Sequence, residues 1–139
     1  MAGAGQSGIK GGRNGDLYCI LRVQNSDLFK RQGSDLFTTL YVSPITASIG
    51  GDAEVYTPYG TIKIKIPAGT VSGKQLRVPG KGVKAIERTG DLYLDVEIEP
   101  LVNLTKEQKD LLKAFNATVT AKNLQKSEER RKQLQKMFN

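Results

Sequence analysis

Histidine and tryptophan are absent from this 139-residue chain, and cysteine occurs once. Without histidine the chain lacks the commonest general base and the commonest zinc ligand. A lone cysteine, Cys19, excludes an intrachain disulfide and any cysteine metal cluster. It reads as a buried strand residue, because free cysteine packs as a small hydrophobe. No apolar run approaches the length of a membrane span. Residues 1–12 also lack the apolar stretch of a signal peptide. The cytosol or an organelle matrix (mitochondrion or plastid) is the expected compartment, not a secreted one. Aromatic residues make up only 6% of the chain, so the core should be modest and further stability should come from association.

Positive charge is plentiful: 21 Lys and Arg against 14 Asp and Glu, a net charge of +7. Residues 116–139 carry +4 of it, so the basicity is mostly a property of the tail. A basic tail can bind nucleic acid or acidic lipid. Here a solvated helix face is the expectation, and neither nucleic acid nor membrane is expected as a partner.

Residues 1–14 are rich in glycine and small polar residues and read as a flexible leader. From 15 to 99 the pattern is β. Ile62, Ile64 and Ile66 alternate with lysines, and Leu92, Leu94, Val96 and Ile98 alternate with Tyr93, Asp95, Glu97 and Glu99. That period of two marks half-buried strands. Leu17, Cys19, Leu21 and Val23 form a third row, and Leu36, Leu40 and Val42 a fourth. Ala53 with Val55, and Leu76 with Val78, suggest two shorter strands. Gly and Pro residues punctuate the runs. The expected fold class is mainly β: an antiparallel sandwich of short strands followed by a C-terminal helix.

Residues 104–115 switch to helical spacing. Thr105 is a plausible N-cap with Gln108 three residues on, the capping-box pattern. Leu104, Leu111, Leu112 and Phe115 fall near one face. Such a short helix should persist only if that face docks, on a second copy of the chain or on its own sandwich. Residues 116–139 read as a solvated helix or a partly disordered tail.

Nothing in the chain forms a credible nucleophile and base, and no enzyme, metal or cofactor is expected. Lys81 between Gly80 and Gly82 lacks the longer phosphate-loop pattern before a helix and reads as a tight turn. Asp91, Asp95, Glu97 and Glu99 read as a solvated outer strand face. Gly-Asp-Leu-Tyr occurs twice, at 15–18 and 90–93, each time opening an alternating strand. It is either the closing strand of a tandem unit or a coincidence of turn chemistry.

The sequence around these copies resembles the DnaJ heat-shock co-chaperone family. The resemblance runs through Gly12-Arg13-Asn14-Gly15-Asp16-Leu17-Tyr18 and Leu28-Phe29-Lys30-Arg31-Gln32-Gly33-Ser34-Asp35-Leu36. It continues with Ala47-Ser48-Ile49-Gly50-Gly51, Ile64-Lys65-Ile66-Pro67-Ala68-Gly69-Thr70, Ser72-Gly73, Leu76-Arg77 and Gly80-Lys81-Gly82-Val83. It ends at Gly90-Asp91-Leu92-Tyr93, then Leu104-Thr105, Glu107-Gln108 and Leu111-Leu112. Many relatives differ at Tyr56 and Pro58-Tyr59. The resemblance implies two tandem β domains and a dimerising helix. On that basis residues 15–24 close an upstream domain that is mostly absent, 27–103 form the second sandwich, and 104–139 hold the helix and basic tail. The family's J domain, with its His-Pro-Asp motif, and its cysteine-rich zinc region are not in this sequence.

The resemblance further implies binding of unfolded polypeptide clients, homodimerisation, and work with a DnaK-type chaperone through the full-length protein. Binding any unfolded client needs sequence tolerance, which apolar pockets and an open strand edge supply. The client-binding candidates are Phe37, Tyr41, Ile45 and Ile49, with burial in the sandwich core as the competing reading. The dimerisation candidates are Leu104, Leu111, Leu112 and Phe115. A structural dimer scaffold without client binding, and a basic tail that binds nucleic acid or lipid, remain as alternatives.

Overall fold

A computed structural model describes residues 26–139. The leader expected at 1–14, the strand expected at 15–24, Cys19 and the first Gly-Asp-Leu-Tyr copy lie outside the described residues. Two compact units divide the chain after Pro100.

In the first unit the alternating rows become strands. These are β1 (Lys30–Gln32), β2 (Asp35–Val42), β3 (Gly51–Thr57), β4 (Gly60–Ile66), β5 (Gln75–Val78) and β6 (Leu92–Ile98). A four-stranded sheet has the order β1-β2-β6-β5, and β3-β4 is a separate hairpin. Even-numbered residues of β2, β5 and β6 turn inward: Leu36, Val42, Val78, Leu92, Leu94 and Val96 are all buried. The hairpin adds Val55 and Ile66 from its own inner face, and the two layers share their core clusters. Each such side chain contributes roughly 1.5–3 kcal/mol on leaving water. On the hairpin's wet face, Glu54 stands opposite Lys63 and Asp52 opposite Lys65.

The β-rich unit with helices after it matches the fold expected from the alternation. One pairing departs from the antiparallel expectation. β1-β2, β3-β4 and β5-β6 are antiparallel, but the central β2-β6 pair is parallel, with Leu36 beside Leu92 and Val42 beside Ile98. A parallel pair needs a long crossover. Here the chain between 43 and 91 supplies it and carries the hairpin over the sheet. Side-chain alternation is the same in either direction, so it does not distinguish them.

Two small elements carry no periodic signal. One is β1. The other is a six-residue helix, α1 (Pro44–Ile49), which follows β2 without a loop. Ser43 caps it, its Oγ accepting from the Thr46 N–H (3.1 Å), and Pro44 sits in the first turn, where its missing N–H costs nothing. Ala47 buries against Val42, Ile66 and Val96.

The entry to β6 is tied by Asp91. Its Oδ1 accepts from the Gly80 N–H (3.0 Å) and its Oδ2 from Arg77 Nε (2.7 Å), while its own N–H donates to Asp35 Oδ1 (2.9 Å). This corrects its reading as one of a row of solvated acids. The Gly80 N–H and then the Arg77 guanidinium hold the Asp91 carboxyl below its ordinary value. A depressed folded-state pKa contributes stability above the unfolded value of about 3.9 and loses it as pH falls through the folded one. Acid titration of unfolding should therefore show a steep branch below about pH 4 that flattens in Asp91→Asn. Parallel acid branches in the two proteins would assign the loss to other carboxylates.

In the second unit, α2 spans Lys106–Asn116. The capping box forms as read: the Gln108 N–H donates to Thr105 Oγ1 (3.1 Å) and the Thr105 N–H to Gln108 Oε1 (2.8 Å). Glu107 near the start and Lys113 near the end complement the helix dipole. A short 3-10 turn (Ala121–Asn123) leads into α3 (Gln125–Phe138). The tail, read as a solvated helix or partial disorder, is a continuous helix over these fourteen residues.

Candidate functional site

β1 covers only the start of β2. Its three residues pair with Asp35, Leu36 and Phe37. Beyond that, the Thr38 hydroxyl donates to the Leu28 carbonyl (2.6 Å), and no strand lies beside Thr39–Val42 on that side among the described residues. Backbone direction alternates along a strand. The Leu36 N–H donates to Asp91 on the β6 side, and the Val42 carbonyl accepts from Glu99 on the same side. The N–H and C=O groups of Thr39 and Tyr41 therefore point the other way, along the uncovered edge. Two donors and two acceptors in β spacing are a template for one more strand.

Apolar side chains stand on either side of Thr39 at this edge. Phe37 and Tyr41 occupy the outer face of β2. Phe37 is half-buried, stacked on Tyr93 with ring centroids 5.0 Å apart. Across the sheet the row reads Lys30, Phe37, Tyr93, Arg77. Tyr41 is 63% exposed and sits opposite Glu97. Ile45 and Ile49, one turn apart on α1, are 45% and 74% exposed, with only Ala47 between them turned into the core. None of the four candidates is a buried core residue. The structure brings Phe37 and Tyr41 onto one sheet face and Ile45 and Ile49 onto one short helix. Sequence reasoning missed Tyr93, whose stacking commits Phe37 to the sheet. A doubled Gly-Asp-Leu-Tyr was the available signal for it. At the β1 end a shallow cavity of about 300 Å³ is lined by Lys30, Arg31, Gln32, Phe37 and Asp95.

In the second unit, Leu111, Leu112 and Phe115 follow helical spacing on α2. Leu111 and Phe115 are largely exposed and Leu112 is half-buried; no residue of the helix is buried. Leu104 precedes the Thr105 cap and so stands outside the helix.

Asp91 and Glu128 are the carboxyls shifted among the described residues. A backbone N–H and Arg77 lower Asp91, and Arg131 lowers Glu128. The described residues form no cluster of three or more His, Cys, Asp or Glu that could hold a metal, and no described helix is long and apolar enough to cross a membrane.

Residues 1–124 match the family model described as the DnaJ C terminal domain. The chain is 42% identical over 130 residues to proteins named "Chaperone protein DnaJ" from Brucella canis, Brucella suis and Brucella abortus. The aligned region is 91% of this chain and 34% of each relative, so the chain spans about a third of the length of the curated relatives it matches.

Proposed function

The chain belongs to the DnaJ C-terminal domain family, and from that premise we propose that it is the part of a co-chaperone that holds non-native polypeptide and joins two copies of the protein. Family members are chaperones rather than enzymes, which agrees with surfaces built for cohesion. In the full-length protein this module works beside a DnaK-type chaperone in the cytoplasm or an organelle matrix.

The observation that carries client binding is the backbone of Thr39 and Tyr41, uncovered among the described residues, in a strand that leads directly into a short helix exposing Ile45 and Ile49. An extended client segment pairs with those backbone groups irrespective of its sequence. Each added hydrogen bond contributes only about 0.5–1.5 kcal/mol net. The apolar side chains supply the remainder, at about 1.5–3 kcal/mol for each one fully covered. Binding by one short edge is therefore weak and reversible, as holding a client for transfer requires.

Two variants test this. Thr39→Pro removes an edge donor at a position where an edge strand tolerates proline. Ile49→Lys removes exposed apolar surface. Each should weaken binding of a labelled unfolded peptide, Ile49→Lys by about tenfold, with unchanged circular dichroism. Undiminished peptide binding in both would reject the edge as the client site. If the chain fails to suppress aggregation while a form carrying the complete preceding β domain succeeds, the chain is a dimer scaffold and its client groove lies elsewhere.

A further inference from the structure

Helix α3 has two unlike sides. The 3.6-residue period places Lys126, Arg130, Arg131, Leu134, Met137 and Phe138 on one of them. The other holds Glu128, Glu129, Lys132 and Lys136, two charges of each sign. The first side thus has three cations, no acid, and every apolar residue of the helix. Arg131 reaches across to Glu128, with Nε 3.2 Å from Oε1 and Nη2 2.6 Å from Oε2, which leaves Lys126 and Arg130 without an ion pair among the described residues. Met137 and Phe138, at the end of the helix, are about three-quarters exposed, and no residue of α3 is buried. In the sequence this stripe is broken and reads as a solvated face. As a continuous helix it becomes a cationic half followed by an apolar half on one side.

We propose that this side of α3 docks on an anionic lipid bilayer. A second copy of the helix is a poor occupant: in a parallel pair the cations of one face those of the other, and in an antiparallel pair they face apolar side chains. Nucleic acid would use the cations but leave Leu134, Met137 and Phe138 in water. An acidic bilayer satisfies both halves: its headgroups attract Lys126 and Arg130, and the acyl boundary takes the three apolar side chains. Long Lys and Arg stems lie along the interface with their charged ends in the headgroups. With so few apolar side chains the attachment is peripheral, and it weakens as salt screens the charges.

The test is flotation of the full chain with vesicles of phosphatidylcholine and phosphatidylglycerol, against vesicles of phosphatidylcholine alone. The chain should float only with the anionic vesicles, and less so as salt rises. Lys126→Glu with Arg130→Glu should lower partitioning at least about tenfold. Leu134→Ala with Phe138→Ala, which keeps helix propensity, should also lower it severalfold while leaving binding to a short single-stranded oligonucleotide unchanged. Equal flotation with both vesicle types, or none with either, overturns the proposal. So does a Leu134→Ala/Phe138→Ala variant that floats as the parent does, since the surface is then a general polyanion site.

Discussion

Alanine at position 90 is expected to cost the β unit about 3 kcal/mol or more, the upper end of what overpacking does. Gly90 lies where three stretches of backbone meet. The Gly82 N–H donates to the Gly90 carbonyl (2.9 Å), the Gly90 N–H to the Val83 carbonyl (3.0 Å), and the Val83 N–H to the Ser34 carbonyl (2.7 Å). A methyl group on Gly90 would collide with the Ser34 carbonyl carbon and oxygen, and would lie 2.8 Å from Ser34 Cβ. Gly82 is confined too, though less tightly: its added carbon would lie 2.5 Å from the same Ser34 oxygen and 2.6 Å from the Gly90 carbonyl carbon. Backbone cannot step aside as a flexible side chain can, and moving it would break the bonds that start both β2 and β6. Gly33 is the control. Its φ of 63° is left-handed, but nothing lies within 4 Å of an added carbon, so Gly33→Ala should cost only about 1–2 kcal/mol. Urea unfolding of both variants separates the two effects. Equal losses would mean that the crowding at Gly90 relaxes more easily than the geometry implies.

That crowding also gives the repeated tetrapeptide a physical meaning at its second copy. Gly90 allows the close approach, Asp91 ties β6 to Gly80, Arg77 and Asp35, Leu92 is fully buried, and Tyr93 stacks on Phe37. Each position answers a different demand, so the motif was visible in the sequence while its reasons were not. Strand rows were legible because burial on one face imposes a period of two, and α2 because Thr105 and Gln108 announce its start. The parallel β2-β6 pair was not legible, since alternation carries no direction. Nor was α1, whose six residues are too few to show a period; only Ser43 before Pro44 hinted at it. The open edge at Thr39 and Tyr41 was hidden for a deeper reason. It is made of backbone groups that every residue has, and among the described residues the short pairing of β1 leaves them uncovered. The client candidates were legible as apolar residues, with Phe37 and Tyr41 on the face of β2 turned away from Leu36 and Val42; burial in the core was the competing reading, and Tyr41, Ile45 and Ile49 are instead exposed and Phe37 half-buried. The sidedness of α3 was obscured because its apolar residues sit at one end rather than along the whole stripe.

Leu112→Asp is expected to turn a dimer into a monomer. The apolar side of α2 offers Leu111, Leu112 and Phe115, and a two-fold contact uses each twice. Association has to overcome about 4–15 kcal/mol of lost freedom. Three side chains per copy, at roughly 1.5–3 kcal/mol each, meet that cost with little to spare, so the dimer should dissociate on dilution. Losing one leucine from each copy removes about 3 kcal/mol or more, a weakening of at least about a hundredfold before the buried carboxylate is counted. Asp110 lies on the opposite side of the helix, joined to Lys106 by a surface pair at 3.0 Å. Such pairs contribute about 0–1 kcal/mol, so Asp110→Asn should leave the dimer intact. Sedimentation of the two variants against the parent, across a range of concentrations, decides the matter. The consequence for client holding follows from the same contact. Two weak strand edges on one dimer grip a long unfolded chain far better than either alone, because the second attachment is intramolecular. Leu112→Asp should therefore spare binding of a short peptide and impair holding of a long client. A mass unchanged by Leu112→Asp would take α2 out of the dimer contact, and equal impairment on short and long clients would remove the link between dimerisation and grip.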